Sequence, residues 1–149
     1  MSTLIKFYNG TVTSGGKDGD ELSEGTNANP LSFTLNAAIN EAKCAKVAIR
    51  CKDGYATYGT TKVSAYHNTG SGYEPTGGDV DKWSFAVDDN YASAEDALAK
   101  ATWKDSIEFA DDITDKNTVF WVKAASNSAE VPSNDTSTVL YCTTVIRAV

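Results

Sequence analysis

The chain is poor in the residues that most metal, catalytic and nucleic-acid sites require. Its 149 residues include one histidine, His67, two arginines, Arg50 and Arg147, and three cysteines. A single histidine excludes metal sites built from histidine pairs, and the cysteines do not have the spacing of a zinc motif. No apolar run approaches the roughly 20 residues of a membrane-spanning helix. We therefore expect neither a membrane segment nor a transition-metal site.

Basic residues are also outnumbered. The sequence has 13 Lys and Arg against 20 Asp and Glu, a formal net charge of -7, and its isoelectric point is near 4.6. Nucleic-acid binding draws much of its affinity from clustered Lys and Arg, and here these residues are scattered. We expect no nucleic-acid partner.

The cysteines, Cys44, Cys51 and Cys142, are odd in number and cannot all pair within one chain. The N-terminal sequence MSTLIKFYNG lacks the basic and apolar leader of a secreted protein. We therefore expect synthesis in a reducing cytoplasm, with free and mostly buried thiols.

Short stretches of alternating apolar and polar residues recur along the chain, as in half-buried strands. In the clearest stretch, residues 45–51, the odd-numbered side chains are apolar, while Lys46 and Arg50 mark a solvent-exposed face. Strands are predicted at residues 4–8, 31–35, 45–51, 62–67, 83–87, 106–109, 118–125 and 137–149. Turn-forming clusters separate them. Strands and helices do not alternate along the sequence, which disfavours a parallel sheet. The sequence thus predicts an all-β fold: one domain over residues 1–149, an antiparallel sandwich of about eight strands.

One short helix is predicted at residues 93–101. Ser93 is a suitable N-cap, and Asp96 follows three residues later in a capping-box arrangement. We also expect at least one of Trp83, Trp103 and Trp121 to pack between the sheets.

The motif Ser14-Gly15-Gly16-Lys17-Asp18 matches the start of the pyrophosphate-binding loop of ATP pyrophosphatases. That loop needs a strand before it and a helix at its end. Residues 20–30 contain glycine, asparagine and proline instead of a helical pattern. We expect a flexible hairpin loop rather than a nucleotide site.

Other catalytic and metal patterns are equally weak. The acidic clusters spell no EF-hand and are typical of solvated turns. No nucleophile elbow occurs. Cys51 and Cys142, the two thiols that could be proposed beside His67, lie in apolar strand patterns where inert, buried sulfur is expected. We predict that the protein is not an enzyme and that it binds no cofactor and no metal.

A resemblance appears in the C-terminal half. Residues 117–125, NTVFWVKAA, are followed by Glu130, Pro132 and the run from Asn134 to Thr136, and preceded by DITDKNT at residues 112–118. With Trp83 leading a strand, this resembles the closing hairpin of bacterial and phage immunoglobulin-like domains. It departs from the antibody pattern, because no cysteine pair brackets a central tryptophan.

The resemblance implies an immunoglobulin-like β-sandwich and a non-enzymatic structural protein of a tailed-phage virion. The form we expect is a capsid decoration protein on the assembled shell, made in the host cytoplasm and bound to the major capsid protein or other virion subunits. The alternative is a carbohydrate-binding or adhesive surface module, in which the crowded tyrosines Tyr55, Tyr58, Tyr66 and Tyr73 offer ring faces to sugars.

Three segments are candidates for partner contacts. They are the N-terminal segment, the glycine-rich loop of residues 68–81, and the final strand, whose apolar run only Arg147 interrupts with charge. An exposed strand edge of this kind invites pairing, so a neighbouring copy or the shell protein should cover it. In isolation we expect a monomer or a small homo-oligomer. The predicted contact residues are Leu4, Phe7, Tyr8, Tyr73, Val145 and Arg147.

Overall fold

Antiparallel strands dominate the computed structural model, which describes residues 3–23, 30–126 and 137–149. The described residues form eleven strands, one α-helix and two 3-10 turns, at Ala37–Ile39 and Val80–Lys82. The strands are β1 (Ile5–Asn9), β2 (Asp20–Glu21), β3 (Ala42–Cys51), β4 (Tyr55–Thr57), β5 (Thr61–Asn68), β6 (Tyr73–Glu74), β7 (Trp83–Val87), β8 (Ser106–Phe109), β9 (Thr118–Ala125), β10 (Thr138–Thr143) and β11 (Ile146–Ala148); the helix is α1 (Ala94–Lys100).

Two main sheets face each other. The first has the order β2-β1-β3-β9-β7; in the second, β10 pairs with one edge of β5, while β6 and β8 pair with its other edge. β11 and β4 form a small two-stranded sheet, and every pairing is antiparallel. The predicted all-β antiparallel sandwich with one short helix is confirmed. β2, β4 and β6 were not predicted, because two or three residues are too few to show alternation.

The main core lies between the two sheets. From β3, Val47, Ile49 and Cys51 point into it, and Phe120 and Val122 of β9 meet them there. All but Cys51 of these five are fully buried. The inward register predicted for β3 is therefore confirmed, and β9 is buried on both faces, as its composition predicted.

The outer face of β3 is covered more than its lysines suggested. Ala48 is fully buried, although it lies on the side predicted to face water. Cys44, just before the predicted strand, is also buried on this side. Their small side chains leave room for other elements of the chain to pack against this face. The prediction of an exposed face is wrong at Ala48.

α1 covers part of that face. The Ser93 Oγ accepts a hydrogen bond from the Asp96 N–H at 3.1 Å and starts the helix. Ala97 then packs in a second cluster with Cys44 and Trp121. Trp121 and Trp103 thus lie under the helix, whereas Trp83 packs against the core between the sheets, as predicted for at least one tryptophan.

The loop of residues 12–19 covers the rest. Val12 packs on Ala48 and Val119 in a third cluster. At Gly19, φ is +106°, and a Cβ there would come within 2.7 Å of Val12 Cγ1, so only glycine fits beneath the loop. The first sheet is therefore enclosed by the second sheet on one side and by α1 and this loop on the other.

Several sequence predictions need correction. Residues 31–35 form no strand: Leu31 packs against the core and Phe33 against Trp83, with no neighbouring strand to pair with. Val87 was expected to face inward with Phe85 but is 55% exposed, because it ends β7 beyond the bridge from Phe85 to Lys104. The strand predicted at 137–149 divides into β10 and β11.

The remaining predictions concern cysteines, turns and membrane crossing. All three cysteines are free and buried, as predicted. The turn predicted at residues 132–135 and most of that at 25–30 lie outside the described residues. Within the described ranges, no helix has the length and apolar character needed to cross a bilayer.

Candidate functional site: the open face of the second sheet

The second sheet has an outer face that neither α1 nor the 12–19 loop covers. We call this surface the open face and define it by eight outward side chains that lie on or next to β4, β5, β6, β10 and β11: Tyr58, Ser64, Tyr66, Tyr73, Tyr141, Thr143, Val145 and Arg147. Tyr58 and Val145 are both 63% exposed, and Tyr73 is 38% exposed. Exposed aromatic and aliphatic side chains gathered on one face are typical of a binding surface.

The strand registers bring these residues to one side. In β10, Leu140 and Cys142 pack with the core, so Tyr141 and Thr143 point outward. The alternation continues into β11, where Ile146 packs against the core and Arg147 points outward. Odd-numbered residues from 141 to 149 therefore share one face.

Three tyrosines from three strands form an aromatic cluster on the open face. The rings of Tyr66 and Tyr141 are stacked, with centroids 4.2 Å apart and planes 19° apart. The ring of Tyr73 lies 5.6 Å from that of Tyr141. Stacking fixes the ring orientations and leaves Tyr73 as the most exposed member.

The other end of the open face is an apolar corner with one guanidinium group. Arg147 lies over the ring of Tyr58, with Cζ 4.9 Å from the ring centroid, and its Nη2 is 3.4 Å from Asp112 Oδ2. The N–H of Tyr58 donates to the Val145 carbonyl at 2.8 Å, which places their side chains side by side. Because Asp112 and Tyr58 hold Arg147, its charge is partly neutralised beside the exposed Val145.

A bulge separates these two ends. Thr143 lies opposite Lys62, and Ile146 lies opposite Thr57. The segment 143–146 is therefore two residues shorter than the segment 57–62 that it faces. The extra residues lie at Gly59, whose φ is +81°, and its neighbour Thr60. A glycine is suited to this left-handed position.

The predicted contact residues divide between exposed and enclosed positions. Tyr73, Val145 and Arg147 meet on the open face. Phe7 is 3% exposed and packs edge-on against Phe120 in the core, so its side chain is not available to a partner. Tyr8 is half-buried, with the Arg50 guanidinium 3.5 Å from its ring centroid.

Leu4, the remaining predicted contact, is half-buried on the first-sheet side, where its carbonyl accepts from the Lys52 N–H. Tyr141 was missed altogether. Its odd-numbered alternation with Val145 and Arg147 in one C-terminal segment was the available signal.

The loop with the pyrophosphatase-like motif is already occupied by contacts within the chain. The N–H of Gly15 donates to the Asn117 carbonyl and that of Gly16 to the Thr13 carbonyl, so these amides do not form an open phosphate cradle. Lys17 binds Asp115 at 2.8 Å and Asp53 at 3.1 Å. The hydrogen bond to Asp115, and after it the one to Asp53, raises the pKa of Lys17.

The buried side chain of Asn117 holds this loop through hydrogen bonds. It is 4% exposed; its Nδ2 donates to the Thr13 carbonyl and to Asp18, and its Oδ1 accepts from Arg50 at 2.7 Å. Asp18 in turn accepts from the N–H and the hydroxyl of Thr13, and these bonds lower its pKa. The predicted hairpin loop therefore contains a hydrogen-bond network that joins it to Asn117.

The groups considered for catalysis are dispersed. Burial raises the pKa of Cys51 to about 11, so this thiol is poorly suited to act as a nucleophile. His67 Nδ1 and Thr138 Oγ1 are buried without a hydrogen-bond partner in the described chain. Among the described residues, no three His, Cys, Asp or Glu side chains are grouped as a metal site.

A groove of about 470 Å³ lies beside β8. It adjoins the open face, because its lining residue Ser106 lies opposite Ser64. Its lining residues are Val87, Thr102, Lys104, Ser106, Ile107 and Glu108.

Comparison of the chain with protein-family models, curated proteins and solved structures gives no match. The open face is therefore the surface on which a functional proposal rests.

Proposed function

We propose that this protein is a non-enzymatic structural protein of a tailed-phage virion, a capsid decoration protein that binds the assembled shell through its open face. The observation that carries the proposal is the exposed apolar corner of Tyr58 and Val145, in a protein with a net charge of -7. Exposed apolar side chains on a protein kept soluble by acidic residues elsewhere suit docking onto another protein. The sequence resemblance in the C-terminal half supports the virion as the setting.

The order of the strands supports a docking role as well. Tyr58 directly follows β4 and Val145 directly precedes β11, and Tyr55 and Ile146 of these strands pack against the core. Binding would then require little ordering of the chain, which preserves affinity. Many such contacts on a symmetric shell would add up through multivalency even if each is weak.

The direct test is to purify virions from the phage that encodes this chain, identify their proteins by mass spectrometry, and locate the chain by cryo-electron microscopy. We expect density for the sandwich on the outside of the shell, with the open face toward the major capsid protein. Absence of the chain from the particles overturns the proposal.

A pelleting assay tests the surface itself. Shells lacking the chain are mixed with purified wild type, with the double variant Tyr58→Ser/Val145→Ser, or with Ile39→Ser. Ile39 is the matched control, because it is 66% exposed but lies in the Ala37–Ile39 turn, away from the open face. We expect the double variant to lose at least about tenfold in affinity, as for truncated interface anchors, and Ile39→Ser to pellet like wild type. Equal pelleting of all three argues against the open face.

The second candidate is a carbohydrate-binding module, favoured by the cluster of Tyr66, Tyr73 and Tyr141. Aromatic rings beside hydroxyl groups such as that of Ser64 are the chemistry that recognises sugars. Of the tyrosines suggested by the sequence, Tyr55 packs against the core and Tyr58 lies at the other end of the face. A glycan array probed with wild type and Tyr73→Ala tests this: a sugar retained by wild type and lost by the variant supports it, and no bound sugar removes it.

A further inference from the structure

The strand from residue 138 to residue 148 has one edge whose backbone is directed away from β5 and β4, and no other strand of the described residues pairs with it. The Asn68 N–H donates to the Ser137 carbonyl, which shows that odd-numbered residues of β10 bond to β5. In an antiparallel ladder alternate residues point their backbone groups to opposite sides. Thr138 and Leu140 therefore direct their N–H and C=O groups outward.

The same alternation holds in β11. The Val145 carbonyl accepts from the N–H of Tyr58, and the Val149 N–H donates to the Gly54 carbonyl. Odd-numbered residues again bond to the neighbouring strand, so Ile146 and Ala148 direct their backbone groups outward. The bulge at Gly59 lies on the partner strand and leaves the alternation along 138–148 unbroken. We call these outward backbone groups the C-terminal edge.

Other edges of the sandwich are protected. In the first sheet, β2 is only two residues long and both, Asp20 and Glu21, are acidic. At the opposite end of that sheet, Phe85 of β7 exchanges backbone hydrogen bonds with Lys104. Short, charged or covered edges are the usual means by which proteins avoid strand addition. In the part of the chain that the structure describes, no strand covers the C-terminal edge, and only Arg147 is charged along it.

We propose that a second copy of this chain pairs with the C-terminal edge, antiparallel and about a twofold axis at Thr143. This register places Thr138 opposite Ala148 of the second copy and Leu140 opposite its Ile146. Each of these four residues thus meets another outward residue, as an isologous interface requires.

Side chains and charge agree with this register. On the open face, Tyr141 faces Val145 of the second copy, an aromatic and β-branched pair that stabilises antiparallel strands. The edge is also a place where two copies of net charge -7 can approach without acidic side chains on the paired strands. The two open faces become one continuous face of twice the width, so the dimer is compatible with shell binding but does not depend on it.

Sedimentation of the purified chain, with no phage particle present, tests the pairing. We expect a concentration-dependent shift from 15.9 kDa to twice that mass. Ala148→Pro removes an outward N–H, which β4 does not use, and should weaken the dimer at least about tenfold while leaving the monomer's melting temperature unchanged. Ala148→Ser keeps the N–H and should dimerise like wild type. A chain that remains monomeric at millimolar concentration overturns the proposal, as does unchanged dimerisation of a folded Ala148→Pro variant.

Disulfide trapping tests the register. At the twofold axis the two Thr143 residues form a pair with Cα atoms about 4.5 Å apart, within reach of a disulfide. Thr143→Cys should therefore give a covalent dimer under mild oxidation, while the native thiols, all buried, stay unreacted. Thr69→Cys, at another exposed threonine, is the control. If Thr143→Cys cross-links no faster than Thr69→Cys, the proposed register is wrong.

These outcomes are separable from those for shell binding. A monomeric protein that is still found on virions overturns the dimer alone, and a dimer absent from virions overturns the decoration role alone.

Discussion

The outer faces of the two sheets differ in how far other parts of the chain cover them. On the first sheet, small residues such as Ala48 and Cys44 are buried beneath the 12–19 loop and α1. On the second sheet, the chain leaves Tyr58, Tyr73 and Val145 in contact with water. The covered face contributes to the stability of the fold, whereas the open face has side chains that the fold does not need. This difference is the reason for placing function on the second sheet.

The largest effect expected from a single substitution is at the core that both sheets share. Ile49→Asp buries an unpaired charge where the side chain is fully enclosed, and should unfold the domain. Lys46→Asp, on the opposite side of the same strand, should cost about 1 kcal/mol or less. Circular dichroism distinguishes the two outcomes. A folded Ile49→Asp protein would contradict the register of β3.

The next largest effect is expected at the covered outer face of the first sheet. Asn117→Ala removes the buried side chain that joins Thr13, Asp18 and Arg50, and should lower the free energy of unfolding by about 1–3 kcal/mol, because the hydrogen bonds of its amide group are lost. Lys116→Ala, at the exposed neighbouring residue, is the control. Urea titration measures both, and equal midpoints would show that the loop is not locked through Asn117.

Acid should weaken the covered face before any change on the open one. Hydrogen bonds from Thr13 lower the pKa of Asp18 below its ordinary 3.8 in the folded protein. The stabilisation is therefore complete above pH 3.8 and is lost as the pH falls through the lowered folded value. Asp18→Asn cannot bind this proton, so its melting temperature should fall less steeply below pH 4 than that of wild type. The control is Asp111→Asn, at an exposed residue outside the loop; a slope for Asp18→Asn that equals the control's would count against this network.

The smallest effect is expected on the open face. Tyr58→Ser and Val145→Ser should each change the free energy of unfolding by no more than about 0.5 kcal/mol, because both side chains are mostly exposed. Thermal or chemical denaturation measures the change. A loss above about 1 kcal/mol would mean that these residues serve the fold, and the contrast between the faces would disappear.

Local patterns predicted much of this fold. β8 and β9 have the predicted bounds, because alternation records which side chains a strand buries. The helix begins at the predicted Ser93, because its cap uses side chains within one turn. The segment 31–35 has equally good alternation yet forms no strand, since a strand also needs a neighbour and alternation carries no information about neighbours.

The open face was harder to predict for the same reason. Tyr66, Tyr73 and Tyr141 meet only because β6 and β10 flank β5, and strand order is a property of the whole chain. Phe7 was chosen as a contact because its segment is N-terminal, but its strand pairs with β3 and turns that side chain inward. Small residues at 44 and 48, between basic residues, were an overlooked local sign that the first sheet is covered.

The pairing of β3 with β9 also has a consequence for how the chain reaches this structure. Ala42 lies opposite Ala125 and Ile49 opposite Thr118, so the centre of the first sheet joins residues about half the chain length apart. During synthesis neither sheet can be completed until β9 has left the ribosome, and β3 must wait with one edge unpaired. Such non-local topology places folding in the range of milliseconds to seconds rather than microseconds. We expect the net charge of -7 to disfavour association between unfinished chains during that delay.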